Sequence, residues 1–265
     1  MLCPDKFRCA KFVVAAFAGL FLSAAAEALN VKRLEPSEEQ TLHAILQTLE
    51  PSISQKKQDG TANLLTWDEL YAPLGTDQRT FLDEFRRLDA ASLGATAHHF
   101  GEPAHPPELA AVGPQFVVKN GEPAPLDPQH LPRNVLEAYQ RMMGAMSYDL
   151  GTRLLVESGY RSPAYQLYLF LYYMPKHGSS IRETNRFVAL PGRSEHGAPQ
   201  QQAIDFINAE GINGEDHPEA FEALPEYRWL KAHASEYGFV LSYPRDNPHH
   251  TAFEPWHWHF EHRDK

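Results

Sequence analysis

The sequence predicts an α+β fold: a small antiparallel sheet flanked by helices, with an N-terminal helical extension. Three observations predict it. Several stretches carry apolar residues at helical spacing; "RLLVES", "AIDFIN" and "FVLSY" are short and rich in branched or aromatic residues; and "WHWHF" near the C-terminus alternates with period two. These segments follow one another without regular alternation, which favours an antiparallel sheet, one face of which is free to carry a site. The 265 residues suffice for one mid-sized domain with a sizeable core.

The first 28 residues stand apart. Lys6, Arg8 and Lys11 precede the apolar run Phe12 to Ala26, which ends in Ala26-Glu27-Ala28, the pattern of a secretory signal peptide over 1–28. The run falls short of the roughly 20 apolar residues of a membrane span, so export to the periplasm or cell-wall space without a stable membrane anchor is expected. Cys3 and Cys9, the two cysteines, both leave with this segment. The mature chain then has no thiol nucleophile and no thiolate ligand, so any metal must take His, Asp or Glu. A net charge of −10 argues against nucleic acid as a partner.

From Leu29 to about Gly94 the signals are helical. Ser37-x-x-Gln40 and Thr66-x-x-Glu69 read as capping boxes, and Phe81, Leu82, Phe85 and Leu88 share one face of a helix from about Asp77. Residues 95–114 are rich in His, Pro, Gly and Ala and read as an irregular linker, giving 29–112 as a helical region with linker and 113–265 as the main domain. A long helix follows Pro132, with Val135, Tyr139, Met142 and Met146 on one face. "RLLVES" is a strand, and Ser162-Pro163 is an N-cap and first-turn pair opening the next helix. A short helix over Ile181 to Val188, the strand "AIDFIN", a helix from about Glu226 to Tyr237, and the strands "FVLSY" and "WHWHF" complete the chain.

The chemistry gathers in "PGRSEHGAPQQQAIDF" and "FEPWHWHFEH". A catalytic zinc takes three His or carboxylate ligands and keeps one position open, which His196, Asp205 and His257 could supply. Asp205 lies inside an apolar strand, where an unpaired carboxylate is costly, so a metal ion or an arginine is its expected partner. His257 and His259 face the same side of the last strand, and either could be the ligand. Glu254 is held extended by Pro255, within reach of a water at such a metal, as a general base requires. Paired histidines elsewhere, His98-His99 and His249-His250, have no ligand spacing.

"SGYRSPAYQ" (Ser158 to Gln166), "SEHGAPQQQAIDF" (Ser194 to Phe206) and "EPWH" (Glu254 to His257), in this order, resemble the LAS-type zinc metallopeptidases, specifically the VanY-like D-alanyl-D-alanine carboxypeptidases. The resemblance covers roughly residues 113–260. It implies Zn2+ held by His196, Asp205 and His257, Glu254 as catalytic base, Arg161 stabilising the carbonyl oxygen, and Ser194 and Gln166 lining the substrate site, where they would meet the substrate's carboxylate. The implied substrates are peptidoglycan stem peptides, from which a terminal D-alanine is removed. An endopeptidase using the same site, or a non-catalytic zinc protein that binds cell-wall peptide, are the alternatives. One departure stands out: Asp205 follows His196 by nine positions where the family's S-x-H-x-x-G-x-A-x-D pattern has seven. Two added loop residues cost little in closure entropy. A serine hydrolase is disfavoured because "GRSEHG" lacks the G-x-S-x-G spacing.

Overall fold

The computed structural model describes residues 29–88, 93, 99–103, 107–198, 200–247 and 252–261. The predicted signal segment 1–28 lies outside them, as do His98, His249 and His250. Among the described residues no helix is long and apolar enough to cross a membrane.

Helix α1 (Pro36–Gln58) buries Leu42, Ile45, Leu49 and Ile53 along one stripe. Its cap lies before the expected Ser37: the Glu35 N–H donates to the Glu38 carboxylate at 2.6 Å, and Pro36 takes the first helical position, where its fixed φ suits the turn. Helix α2 (Trp67–Tyr71) opens as expected on Thr66, whose hydroxyl accepts from the Glu69 N–H while the Glu69 carboxylate accepts from the Thr66 N–H. Helix α3 (Thr76–Arg86) buries Phe81, Leu82 and Phe85.

Among its described residues the predicted linker contains one regular piece. Strand β1 (Leu109–Ala111) pairs antiparallel with β4 (His130–Pro132), and between them β2 (Phe116–Lys119) and β3 (Glu122–Pro125) form a hairpin. The hairpin turns on Asn120-Gly121, both at positive φ (55° and 82°), the geometry that a two-residue turn between twisted strands demands.

Helix α4 (Arg133–Leu150) follows directly and buries Val135, Tyr139, Met142 and Met146, as its spacing predicted. Then come β5 (Leu155–Ser158), α5 (Pro163–Tyr173), α6 (Ile181–Thr184), β6 (Ala203–Ile207), α7 (Pro218–Glu222), α8 (Pro225–His233), β7 (Phe239–Leu241) and β8 (His257–Phe260). The Ser162 hydroxyl caps α5 by accepting from the Tyr165 N–H at 3.1 Å. Helices α6 and α8 stop short of the predicted ends, α8 tightening into a single turn at Ala234–Tyr237.

Strands β5, β6, β8 and β7 form, in that order, one antiparallel sheet. One face is apolar: Ile204, Phe206 and Trp258 join Met142, Met146, Val156 and Leu230 in a core against α4 and α8. A second core lies around α5, where Leu167, Phe170 and Leu171 share an apolar cluster with Leu42, Ile45, Leu49 and Phe85 of the N-terminal helices. The Phe85 and Phe170 rings meet edge to face at 6.2 Å. Each such buried side chain stabilises by about 1.5–3 kcal/mol, so the N-terminal helices and α5 fold as one packed body. Period-two alternation then turns Asp205 and His257 to the other side of the sheet, away from Ile204, Phe206 and Trp258.

Candidate metal centre and active-site cleft

In the β6–β8 register Asp205 stands directly opposite His257, which places their side chains within contact distance on one face. The Asp205 Oδ1 lies 2.7 Å from His257 Nδ1. His196 arrives from a tight turn at Glu195–Gly197, held by a hydrogen bond from the His196 N–H to the Ser194 hydroxyl at 3.3 Å. That turn passes close to the segment before α5: the Arg161 N–H donates to the His196 carbonyl, and a Cβ on Gly197 would sit 2.7 Å from the Arg161 carbonyl oxygen, so the approach requires glycine. Because β6 begins at Ala203, the lengthened loop ends before the strand and leaves Asp205 in register.

His196, Asp205 and His257 each offer a ligand atom, all within 4.8 Å of one another. Whether a metal fits is decided by the protons. His196 Nδ1 lies 2.7 Å from the Gly159 carbonyl oxygen, which only accepts, so Nδ1 carries the hydrogen and Nε2 a bare lone pair. Burial, then the nearby Arg161 charge, pushes the His196 pKa down to about 4 and keeps the ring neutral. Its buried Nε2 has no hydrogen-bond partner, yet stands 3.0 Å from Asp205 Oδ2, another lone-pair atom. Two acceptors that close need a cation between them. The spacing approaches the ~3.3 Å between ligands on one tetrahedral ion with bonds of ~2.0 Å.

The surrounding charges agree. Against the upward push of burial, the charge and hydrogen bond of His257 hold the Asp205 carboxyl well below the usual range. His257, despite burial, is carried up to about 10 by Asp205 and Glu195. The site holds positive charge where a divalent cation would supply it.

Glu195, which sequence reasoning passed over, also belongs to the candidate site. Its carboxylate is buried and accepts from His257 Nε2 at 2.9 Å, leaving Nδ1 of that ring for the metal side. Burial pushes its pKa up, but the His257 hydrogen bond and charge prevail and keep it below its ordinary value. Carboxylates in this position fix ring orientation and raise ligand basicity. Glu195→Ala is therefore expected to weaken metal binding at this group by about 10–100-fold, measured by competition with a chelator. His259, the other candidate ligand on β8, is outside the ligand group. Its Nδ1 bonds the Ser242 hydroxyl at 2.8 Å and approaches Glu195 rather than Glu254. Tyr243, also not anticipated, places its ring 4.9 Å from that of His257.

One cleft of about 710 Å³ is lined by all seven residues singled out in the sequence: Arg161, Gln166, Ser194, His196, Asp205, Glu254 and His257. Glu254 Oε2 is 3.8 Å from His257 Nδ1, and burial pushes its carboxyl up to about 7. Arg161 Nη2 is 3.6 Å from Asp205 Oδ2, and its buried Nε has no hydrogen-bond partner. Gln166, 2% exposed, donates from Nε2 to the Ala189 carbonyl at 2.7 Å and keeps a buried Oε1 without a partner.

The family model for VanY, D-alanyl-D-alanine carboxypeptidase, matches residues 128–263, just over half of the chain and the whole of this sheet and its ligand group. The chain belongs to this family. VanXYC of Enterococcus gallinarum, a bifunctional D-Ala-D-Ala dipeptidase and D-Ala-D-Ala carboxypeptidase, is 31% identical over 139 residues, covering 49% of this chain and 67% of that one. A D-alanyl-D-alanine carboxypeptidase of Enterococcus faecalis is 34% identical over 119 residues, covering 42% of this chain and 41% of that one. The chain spans about half the length of the curated relatives it matches. Among solved structures, a vancomycin-resistance D,D-pentapeptidase VanY in complex with Zn(II) is 26% identical with a TM-score of 0.43, covering 60% of this chain and 82% of that one.

Proposed function

We propose that this VanY-family chain is an exported zinc-dependent D-alanyl-D-alanine carboxypeptidase acting on peptidoglycan stem peptides, with residues 113–265 as its peptidase domain. The observation that carries the reading is the bare His196 Nε2 facing Asp205 Oδ2 at 3.0 Å, beside His257, in the cleft that also holds Glu254 and Arg161. His196, Asp205 and His257 hold the zinc, which when bound polarises the scissile carbonyl and acidifies a water.

Glu254 is the general base. It lies next to ligand His257, and burial keeps its carboxyl basic enough to take a proton from water and return it to the leaving amine. The Arg161 guanidinium, with a buried N–H uncommitted, stabilises the charge that develops on the carbonyl oxygen. The resemblance placed Ser194 and Gln166 at the substrate's carboxylate. One of the two Gln166 amide N–H groups is taken by the Ala189 carbonyl, and the unpartnered Oε1 adds an acceptor, which suits a peptide N–H of the stem.

Incubation of the zinc-loaded protein with a muropeptide pentapeptide, followed by mass spectrometry, tests the reading. Loss of one alanine is expected. Cleavage inside the stem would replace it with an endopeptidase, and zinc binding without cleavage would replace it with a wall-peptide binding protein.

A further inference from the structure

The match to the VanY family begins at residue 128, yet one wall of the cleft comes from before it: Lys57, Gly60, Ala62 and Asn63 line it alongside the ligands. Of these, Asn63 is buried and sits in a single turn, Ala62–Leu64, between α1 and α2. Its contacts converge on one tripeptide. The Asn63 side-chain Nδ2 donates to the Tyr160 carbonyl at 3.2 Å, and its backbone carbonyl accepts from the Ser162 N–H at 2.9 Å. Arg161 lies between the two bonds. A third bond comes from the same segment, as the Ser162 hydroxyl donates to the Leu65 carbonyl at 2.5 Å.

The amide cannot turn over without loss. Asn63 Oδ1 lies 3.3 Å from His130 Nδ1, whose ring can donate there, while Nδ2 faces the Tyr160 carbonyl, which only accepts. His130 in turn accepts the Tyr160 N–H at its own carbonyl, at 2.8 Å. The backbone on either side of Arg161 is thus clamped to the N-terminal segment, while its own N–H is tied to His196. Arg161 has a long flexible side chain with a buried Nε free of hydrogen bonds, so the place of its guanidinium rests on this backbone and on Asp205 at 3.6 Å.

We propose that Asn63 is a positioning residue for Arg161, and that the N-terminal helical segment is thereby an integral part of the catalytic unit. This rests on the carboxypeptidase reading, in which Arg161 acts on the carbonyl oxygen. Misplacing a catalytic group by about 1 Å can cost up to about 10²-fold, so Asn63→Ala is expected to lower kcat by about 10-fold or more with zinc affinity unchanged. A role in stability alone would lower kcat by the same factor whatever stands at 161. A double-mutant cycle separates the two.

The four proteins are the wild type, Asn63→Ala, Arg161→Ala and the double variant, each zinc-loaded, with kcat on the pentapeptide, zinc affinity and Tm recorded. Arg161→Ala alone should lose about 10²–10³-fold, the effect of removing one oxyanion donor. In that background the further loss from Asn63→Ala should shrink below about twofold. Equal losses in both backgrounds would overturn the positioning role and leave the carboxypeptidase reading standing. Full activity of Arg161→Ala would overturn the Arg161 assignment and this inference together. Should Asn63→Ala fail to fold, Asn63→Ser, which keeps a small polar group in the turn, carries the same cycle.

Discussion

Glu254→Gln is expected to lower kcat on a D-alanyl-D-alanine pentapeptide by about 10²–10⁴-fold while leaving zinc stoichiometry unchanged, the range for losing a positioned acid–base group. The amide keeps the shape of the side chain, and Glu254 is not among the three mutually close ligand residues, so the metal centre is undisturbed. The sign of the pH dependence follows from the same residue. Burial pushes its carboxyl up to about 7 without metal, and a bound cation next to His257 favours the charged form and draws it lower. A base works deprotonated, so activity should fall as pH drops through a midpoint below about 7. The acid limb assigned to Glu254 should be absent from the residual activity of Glu254→Gln. Retention of more than a tenth of wild-type kcat would move the base role elsewhere.

Asp205→Asn is the second large effect. Loss of a group one layer out from a metal costs about 10–100-fold in affinity, so replacing a charged ligand with a neutral one should exceed 100-fold, and cleavage should vanish at ordinary zinc concentrations. The metal-free variant should also be less stable. Asp205 faces His196, His257 and Arg161, and removing one partner of a buried charge cluster costs about 3–5 kcal/mol. With 16% of its side chain exposed, the lower end applies, about 3 kcal/mol, read by denaturant unfolding of the chelated proteins. A metal-free Asp205→Asn as stable as the wild type would mean that the Asp205 carboxylate adds little to the stability of the cluster.

Most of the elements are legible from local signals, because these act within a few residues. The Ser162-Pro163 start of α5, the Thr66-Glu69 box and the alternation of β8 are all of this kind. The Ser37-x-x-Gln40 signal does not mark the start of α1, because Pro36 makes a helical turn before Ser37 and a plausible cap residue falls inside the helix. Strands β1 and β4 have three residues each, too few for a period to register. The Asn120-Gly121 pair does carry a hairpin signal, short-ranged and easily lost beside a proline-rich stretch.

At the site, His196, Asp205, Glu254 and His257 were legible through their motifs, but their convergence depends on strand register, which loop length does not determine. Glu195 was illegible for a different reason. Its partner His257 is 62 positions away, and nothing in a Ser-Glu-His triplet distinguishes a buried carboxylate from a solvated one. The bracketing of Arg161 by Asn63, 97 positions from Tyr160 and outside the family match, is equally invisible to local pattern.

In the proposed function, one zinc held by His196, Asp205 and His257 makes this chain a carboxypeptidase. The most direct test is to strip the purified protein with chelator, add zinc back in steps, and follow terminal alanine release from a muropeptide pentapeptide alongside bound metal. Release should be absent after stripping and recover fully at one zinc per chain, with neither binding nor recovery in Asp205→Asn. Alanine release that survives complete removal of metal, or that returns in Asp205→Asn with wild-type zinc affinity, would contradict the proposal.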